Sequence, residues 1–237
     1  MEESVVITLK SQLLAEGKLK SILLNRYGDP SGPRMHLSNL DNRNESTNKV
    51  RNTIWANDEK PYLDISAKSA MSSAEAHCLY DMSKRLGSGN YANLGVAAGK
   101  SLGCLAWGLK HNSHTGKVYG IDLFNWLARD NYYQPDSINE RLSSVLEYFE
   151  LCKGNTHEWA ERLKDLTFKG VFIDADHHYE TTKLDFELWG ALVGVGGEVA
   201  FHDTNKNTVD KVIQEIDLNN WQQTNHIYSL KVFRRIN

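Results

Sequence analysis

The chain has 237 residues, of which 41% are apolar and 24% charged, with a net charge of −3. That profile fits a soluble globular protein built as one large domain, or as a domain with an elaborated terminus, and it lacks the basic excess that nucleic-acid binding normally requires. Three widely spaced cysteines (Cys78, Cys104, Cys152) without a CxxC pair argue against a disulfide frame or a zinc site and predict buried thiols in a reducing cytoplasm.

The start, Met1-Glu2-Glu3-Ser4, is acidic where a signal peptide would be basic, and no apolar run approaches the length of a membrane span. Residues 5–25 carry apolar side chains at loosely helical spacing. Residues 27–59 turn rich in Asn, Asp, Arg and Ser and read as a long loop, either a lid or a disordered stretch. Residues 1–70 are therefore expected to form an N-terminal extension, and 71–237 the main domain.

Ser72 or Ser73 can cap a helix running to about Arg85, with Glu75 in its first turn and Gly87-Ser88-Gly89 as its end. From there the pattern alternates. Strands are predicted at 91–96, 117–122, from Leu151-Cys152, at 170–174, 198–201 and 227–236, and helices at 101–111, 138–149, 158–166, 179–192 and 208–218. Alternation of this kind implies βαβ units and a doubly wound, mostly parallel α/β sheet with helices on both faces. Thr224-Asn225-His226 reads as the turn of an antiparallel closing hairpin.

Two apolar runs end abruptly in acid and imidazole: Val171-Phe172-Ile173-Asp174-Ala175-Asp176-His177-His178 and Val199-Ala200-Phe201-His202-Asp203. In open α/β sheets, ligands bind outside the carboxyl ends of the strands, so these two ends point to one polar site. Upstream, Asn93-Leu94-Gly95-Val96-Ala97-Ala98-Gly99-Lys100-Ser101 resembles a phosphate loop but has three residues between its glycines where four are needed. A dinucleotide fingerprint fails as well, because Ala97 stands at the second glycine position. What remains is a strand, a small-residue turn and a helix. A carboxylate, Asp122, closes the next strand, where it can accept hydrogen bonds from ribose hydroxyls.

The order of these segments resembles class I S-adenosylmethionine-dependent methyltransferases, and more narrowly the branch of macrocin-type sugar O-methyltransferases and cephalosporin-biosynthesis homologues. The likeness runs over roughly residues 70–205 plus the terminal hairpin, and is most specific from Asp174 to Asp203. It implies a seven-stranded Rossmann-like sheet and a cytoplasmic enzyme that moves a methyl group from S-adenosylmethionine to a hydroxyl of a small molecule, of sugar or natural-product type. By the same resemblance, Asn93, Gly95, Ala97 and Gly99 lie at the methionine part, Asp122 at the ribose and Asn155 near the adenine. Asp174 belongs to both halves of the site.

His177 stands where such relatives carry a general base, with Asp174 and Asp203 beside it. Asp174, His202 and Asp203 are the metal ligands the resemblance implies, for magnesium or another divalent ion. Imidazole at His202 in place of an acid favours a softer ion or none. Asn93 likewise replaces an acid that the family usually carries. Trp126, Tyr132, Tyr133 and Trp159 form an expected aromatic wall. A small-molecule substrate is the expected partner, nucleic acid and membrane are not, and a homodimer is left open. The competing readings are an NAD- or nucleotide-binding Rossmann-like protein and a methyltransferase-fold binding protein without activity.

Overall fold

The computed structural model describes residues 71–125 and 131–237. The expected extension over 1–70 and Trp126 lie outside these residues. Helix α1 (Ser73–Leu86) starts where it does because Ser72 and Glu75 close a capping box: the Ser72 hydroxyl accepts from the Glu75 N–H, and the Glu75 carboxylate accepts from the Ser72 N–H at 2.8 Å. The alternation then follows as β1 (Asn90–Leu94), α2 (Lys100–His111), β2 (Val118–Asp122), α3 (Pro135–Arg141), β3 (Phe149–Lys153), α4 (Thr156–Arg162), β4 (Phe168–Ile173), α5 (Tyr179–Leu192), β5 (Val193–Phe201), α6 (Asn207–Gln214), β6 (Trp221–Ile227) and β7 (Leu230–Arg235).

The seven strands form one sheet in the order β3-β2-β1-β4-β5-β7-β6. Pairing is parallel from β3 through to β5, whereas β7 runs antiparallel to both β5 and β6. The doubly wound α/β class read from the sequence is therefore the observed one. Side-chain alternation sends Ala92, Leu94, Ile121, Val171 and Phe201 into a core with Ala160 of α4, Trp189 of α5 and Val209 and Val212 of α6. On the opposite face the Tyr91 hydroxyl donates to the Gly87 carbonyl at the end of α1, at 2.7 Å. There α1 and α2 cross so closely that a Cβ on Gly108 would stand 2.0 Å from the Ser83 hydroxyl. No helix among the described residues is long and apolar enough to cross a membrane.

Three local expectations need correction. The helix expected at 138–149 is α3, which ends at Arg141, followed by a 3-10 segment, Ser143–Tyr148. Phe149 must already be extended, since it pairs with Val118 in the sheet. The helix expected at 158–166 begins at Thr156, because Asn155 caps it: the Asn155 Oδ1 accepts from the His157 N–H at 2.8 Å. Thr224-Asn225-His226 is not a turn but lies within β6. The register shift between Gln223 and Asn225 absorbs its irregularity, and the chain reverses at Tyr228-Ser229, with Tyr228 at φ 51°.

The sequence also hid a buried ion cluster. Glu198, on β5, is fully buried and is held by Arg85 at 2.8 Å and Arg234 at 2.9 Å. All three cysteines are free and buried.

Candidate active site

The sheet order reverses direction at β1, between β2 and β4, and this switch point opens a crevice at the carboxyl ends of the strands. Its first wall is the turn after β1. Gly95 sits at φ 85°, and a Cβ there would stand 2.3 Å from the Asp174 carbonyl oxygen, so no side chain fits. The Asp174 N–H in turn donates to the Leu94 carbonyl at 2.9 Å. Asp122 braces the same turn from the β2 side. Its Oδ2 accepts from the N–H groups of Val96 and Ala97 at 2.9 and 3.0 Å, and its Oδ1 from that of Phe124 at 2.8 Å. A carboxylate has roughly four acceptor positions, so about one remains for a ligand hydroxyl.

The second wall carries the titrating groups. Ile173 pairs with Phe201, which sets the residues after β4 and β5 side by side. The His177 Nε2 lies 2.8 Å from Asp203 Oδ2 and 3.4 Å from Asp174 Oδ1. The His202 Nδ1 lies 3.5 Å from Asp174 and 3.6 Å from Asp203. Neither nitrogen completes a hydrogen bond within the chain, although both are buried. Lys206 donates to Asp203 Oδ2 at 2.7 Å. Asp203 holds φ 54°, a left-handed conformation that Asp tolerates better than most side chains.

The charge balance is uneven. The carboxylates of Asp174 and Asp203 push the His177 pKa up to about 9. The His177 contact also holds the Asp203 carboxyl far below the usual carboxylate range, despite burial. Burial opposes a charge on His202, but Asp174 and Glu75 outweigh it and raise that imidazole to about 10. Glu75 resists its own burial through His202, Ser72 and Ser229, which keep its carboxyl below the ordinary value. The Ser229 hydroxyl donates to Glu75 at 2.7 Å and lies 3.4 Å from His202 Nε2. The helix cap of α1 and the active cluster thus share one carboxylate. Nothing in the local sequence around Glu75 or Ser229 announced this, because the contact joins residues 154 positions apart.

Both walls face one cavity of about 760 Å³, within the usual range for small-molecule sites. Of the residues expected at the site, Gly95, Ala97, Asp122, Asn155, Asp174, His177, His202 and Asp203 line it. Asn93 and Gly99 do not. Asn93 is fully buried behind the turn, where its Nδ2 donates to the Gly95 carbonyl at 2.8 Å, and Gly99 is the N-cap of α2. Among the described residues, the donor atoms close enough to share a metal ion belong to Asp174, His177 and Asp203, all within 4.8 Å of one another. The expected ligand His202 stands behind this group, 4% exposed.

Asp176 turns to His178, accepting from its backbone N–H at 2.9 Å, and leaves His177 alone. Tyr133 reaches the cavity, while Trp159 donates its ring N–H to the Lys153 carbonyl at 3.2 Å and Tyr132 lies beneath the Arg141 guanidinium. Arg141, which sequence reasoning passed over, ties this segment to the glycine turn through the Ala98 carbonyl at 2.7 Å.

Residues 92–204 match a family profile described as a methyltransferase domain. No curated protein sequence matches the chain. Among solved structures, an O-methyltransferase from Bacillus cereus in complex with S-adenosylhomocysteine superposes with a TM-score of 0.60 at 16% identity, covering 81% of this chain and 97% of that one. The O-methyltransferase TomG from Streptomyces achromogenes, involved in tomaymycin synthesis and bound to S-adenosylmethionine, gives 0.60 at 13% identity, covering 81% and 96%. An rRNA methylase from Streptococcus thermophilus gives 0.53 at 18% identity, covering 71% and 100%. At such identities the likeness is one of fold, shared by proteins named for quite different acceptors.

Proposed function

We propose that this chain is a class I S-adenosylmethionine-dependent methyltransferase that methylates a hydroxyl group of a small molecule, with sugars of the macrocin-type branch the favoured acceptors; the methyltransferase-domain match over residues 92–204 supports the first part. One observation carries the reading. Asp174, His177 and Asp203 converge in the same cavity as the glycine turn and Asp122, so a proton acceptor faces a cofactor cradle. A net charge of −3 speaks against an RNA acceptor, and polar Asn125 and Thr181 on the cavity wall suit a hydroxylated ligand. Three free, buried thiols support a cytoplasmic setting.

In this reading, the backbone at Gly95 and Ala97 lets the methionine part of the cofactor lie close, and Asp122 takes a ribose hydroxyl on its remaining acceptor position. Asn155 shapes the loop at the adenine. Asn93 acts indirectly, by holding the Gly95 carbonyl. The acceptor oxygen attacks the methyl carbon, and the carbon–sulfur bond breaks with its electron pair going to sulfur. The hydroxyl proton passes to the Asp174–His177–Asp203 cluster. His177 can take it only when its own proton has gone.

The donor set fits a divalent ion. Two carboxylates and an imidazole nitrogen converge, and the imidazole can ligate once its proton has left. That mixture suits manganese, iron or zinc better than magnesium. Asp174, His177 and Asp203 would hold the ion, and its charge would acidify the acceptor hydroxyl.

The test is thermal stabilisation by S-adenosylhomocysteine, NAD and ATP in parallel, followed by methyl transfer to a panel of sugars and phenols. Stabilisation by S-adenosylhomocysteine alone, with turnover lost in His177→Ala and Asp203→Asn, is expected. Binding without turnover on any acceptor would favour a methyltransferase-fold binding protein. Turnover intact in both variants would overturn the assigned roles.

A further inference from the structure

Behind Asp174 and Asp203 lies a buried chain of polar groups that the transfer chemistry does not use. Glu75 is 2% exposed, and both of its carboxylate oxygens are occupied by donors. Oε2 accepts from the Ser72 N–H at 2.8 Å and from its hydroxyl at 2.7 Å, and Oε1 from the Ser229 N–H at 3.0 Å and from its hydroxyl at 2.7 Å. So many donors on one carboxylate keep it ionised, and an ionised carboxylate only accepts. The Ser229 hydroxyl proton therefore goes to Glu75, and Oγ turns a lone pair towards His202 Nε2, 3.4 Å away. Nε2 is then the donor of that contact. The direction of the chain fixes which edge of the imidazole faces backwards, and so aims Nδ1 at Asp174 Oδ1 (3.5 Å) and Asp203 Oδ1 (3.6 Å).

Ser229 holds the other side of Asp203 as well. Its carbonyl accepts from the Thr204 N–H at 2.9 Å, so the residues before and after Asp203 are both tied to one serine at the reversal between β6 and β7. His202 and Thr204 are each 4% exposed, which leaves neither of them room to shift. Glu75 and Ser229 do not themselves line the cavity, so whatever they do for the reaction passes through His202 and Asp203.

We propose that Ser229 and Glu75 are positioning residues for the methyl transfer: acting through His202, they hold the Asp174 and Asp203 carboxylates in the separation and orientation at which His177 and the acceptor hydroxyl meet them. The inference rests on the methyl-transfer reading and adds to it a support that reaches from the first turn of α1 to the β6–β7 reversal.

Ser229→Ala removes the hydroxyl and leaves the cap between Ser72 and Glu75 whole. With the sugar or phenol that the wild type turns over fastest, it should lower kcat about 10-fold, while acceptor KM and S-adenosylhomocysteine affinity stay within about 2-fold. Ser229→Thr, which keeps a hydroxyl, should recover most of the loss. Glu75→Gln offers one amide oxygen where two carboxylate oxygens stood, and should lower kcat in the same way; Ser229→Ala decides the matter if that variant does not fold. In a His202→Asn background, Ser229→Ala should lower kcat no further, because the groups act as one chain. Nuclear magnetic resonance of isotope-labelled histidine gives a readout that needs no acceptor. The His202 Nε2 proton, identified by its loss in His202→Asn, should exchange slowly in the wild type and quickly in Ser229→Ala. Unchanged kcat in Ser229→Ala, a KM that rises as kcat falls, losses that add in the double variant, or equal exchange of the Nε2 proton in both proteins overturns the proposal. Turnover of no acceptor by the wild type would instead strike the methyl-transfer reading beneath it.

Discussion

The His177 imidazole and the Asp203 carboxylate meet at 2.8 Å, and this contact sets the pH at which the site can accept a proton. With the His177 pKa near 9, the ring is charged in neutral solution and is no base. In metal-free buffer, turnover should therefore rise with pH through about 9, and His177→Ala should abolish that rise. Stability should run the other way. A folded-state pKa above the ordinary 6.5 stabilises fully below 6.5 and is lost as pH climbs through about 9. Melting curves across that range, wild type against His177→Ala, check the sign. A flat wild-type rate profile would remove His177 from the proton transfer.

A divalent ion should compete with that proton. Manganese at about 100 times its dissociation constant would stabilise the protein by about 3 kcal/mol, and more than magnesium at the same concentration. The rate onset should move to lower pH at the same time. Asp174→Asn combined with Asp203→Asn should erase both effects. Equal stabilisation of the double variant would place the ion elsewhere.

Gly95→Ala should be the most damaging single-methyl change in the crevice. The new Cβ would meet the Asp174 carbonyl at 2.3 Å, in a left-handed backbone that itself costs a side chain about 1–2 kcal/mol. Either the turn or Asp174 must move, so S-adenosylhomocysteine affinity should fall at least about 10-fold. Calorimetry on the folded variant measures it, and unchanged affinity would mean that the turn does not carry the cofactor.

Glu198→Ala should separate stability from chemistry. It takes the buried partner from two arginines that are each about two-fifths exposed and can hydrate, so the cost is that of lost hydrogen bonds, about 1–3 kcal/mol. For a domain of this size that lowers Tm by roughly 2–12 °C. At temperatures where the variant remains folded, kcat should match the wild type.

The sheet was readable in advance because its signals are local. Alternating apolar runs with capped helices between them announce βαβ units, and acids at strand ends mark the crevice. The misplacements share a cause. Phe149 leaves its helix to pair with Val118, and Thr224 to His226 are drawn into β6 by Val232 and Lys231, which are partners that only the folded sheet supplies. The site divides in the same way. Asp174 and His177 lie three residues apart and could be read together. The same proximity that made His177 look like a base gives it two carboxylate neighbours, and so a proton it does not readily release. The contact of Glu75 with Ser229 and His202, and that of Arg141 with the Ala98 carbonyl, join residues far apart in sequence, and no pattern along the chain foretells them.

The carboxylate of Glu75 belongs at once to the first turn of α1 and to the imidazole of His202. Where a shortened version of this protein begins is therefore a chemical choice as much as a structural one. Cutting after Ser72, or fusing a tag that unwinds that first turn, would free Glu75 from its cap and shift the charge balance around Asp174 without touching any residue that meets the substrate. Activity in trimmed variants should follow the integrity of this helix start, and an inactive fragment beginning at residue 73 would say nothing against the chemistry of the intact chain.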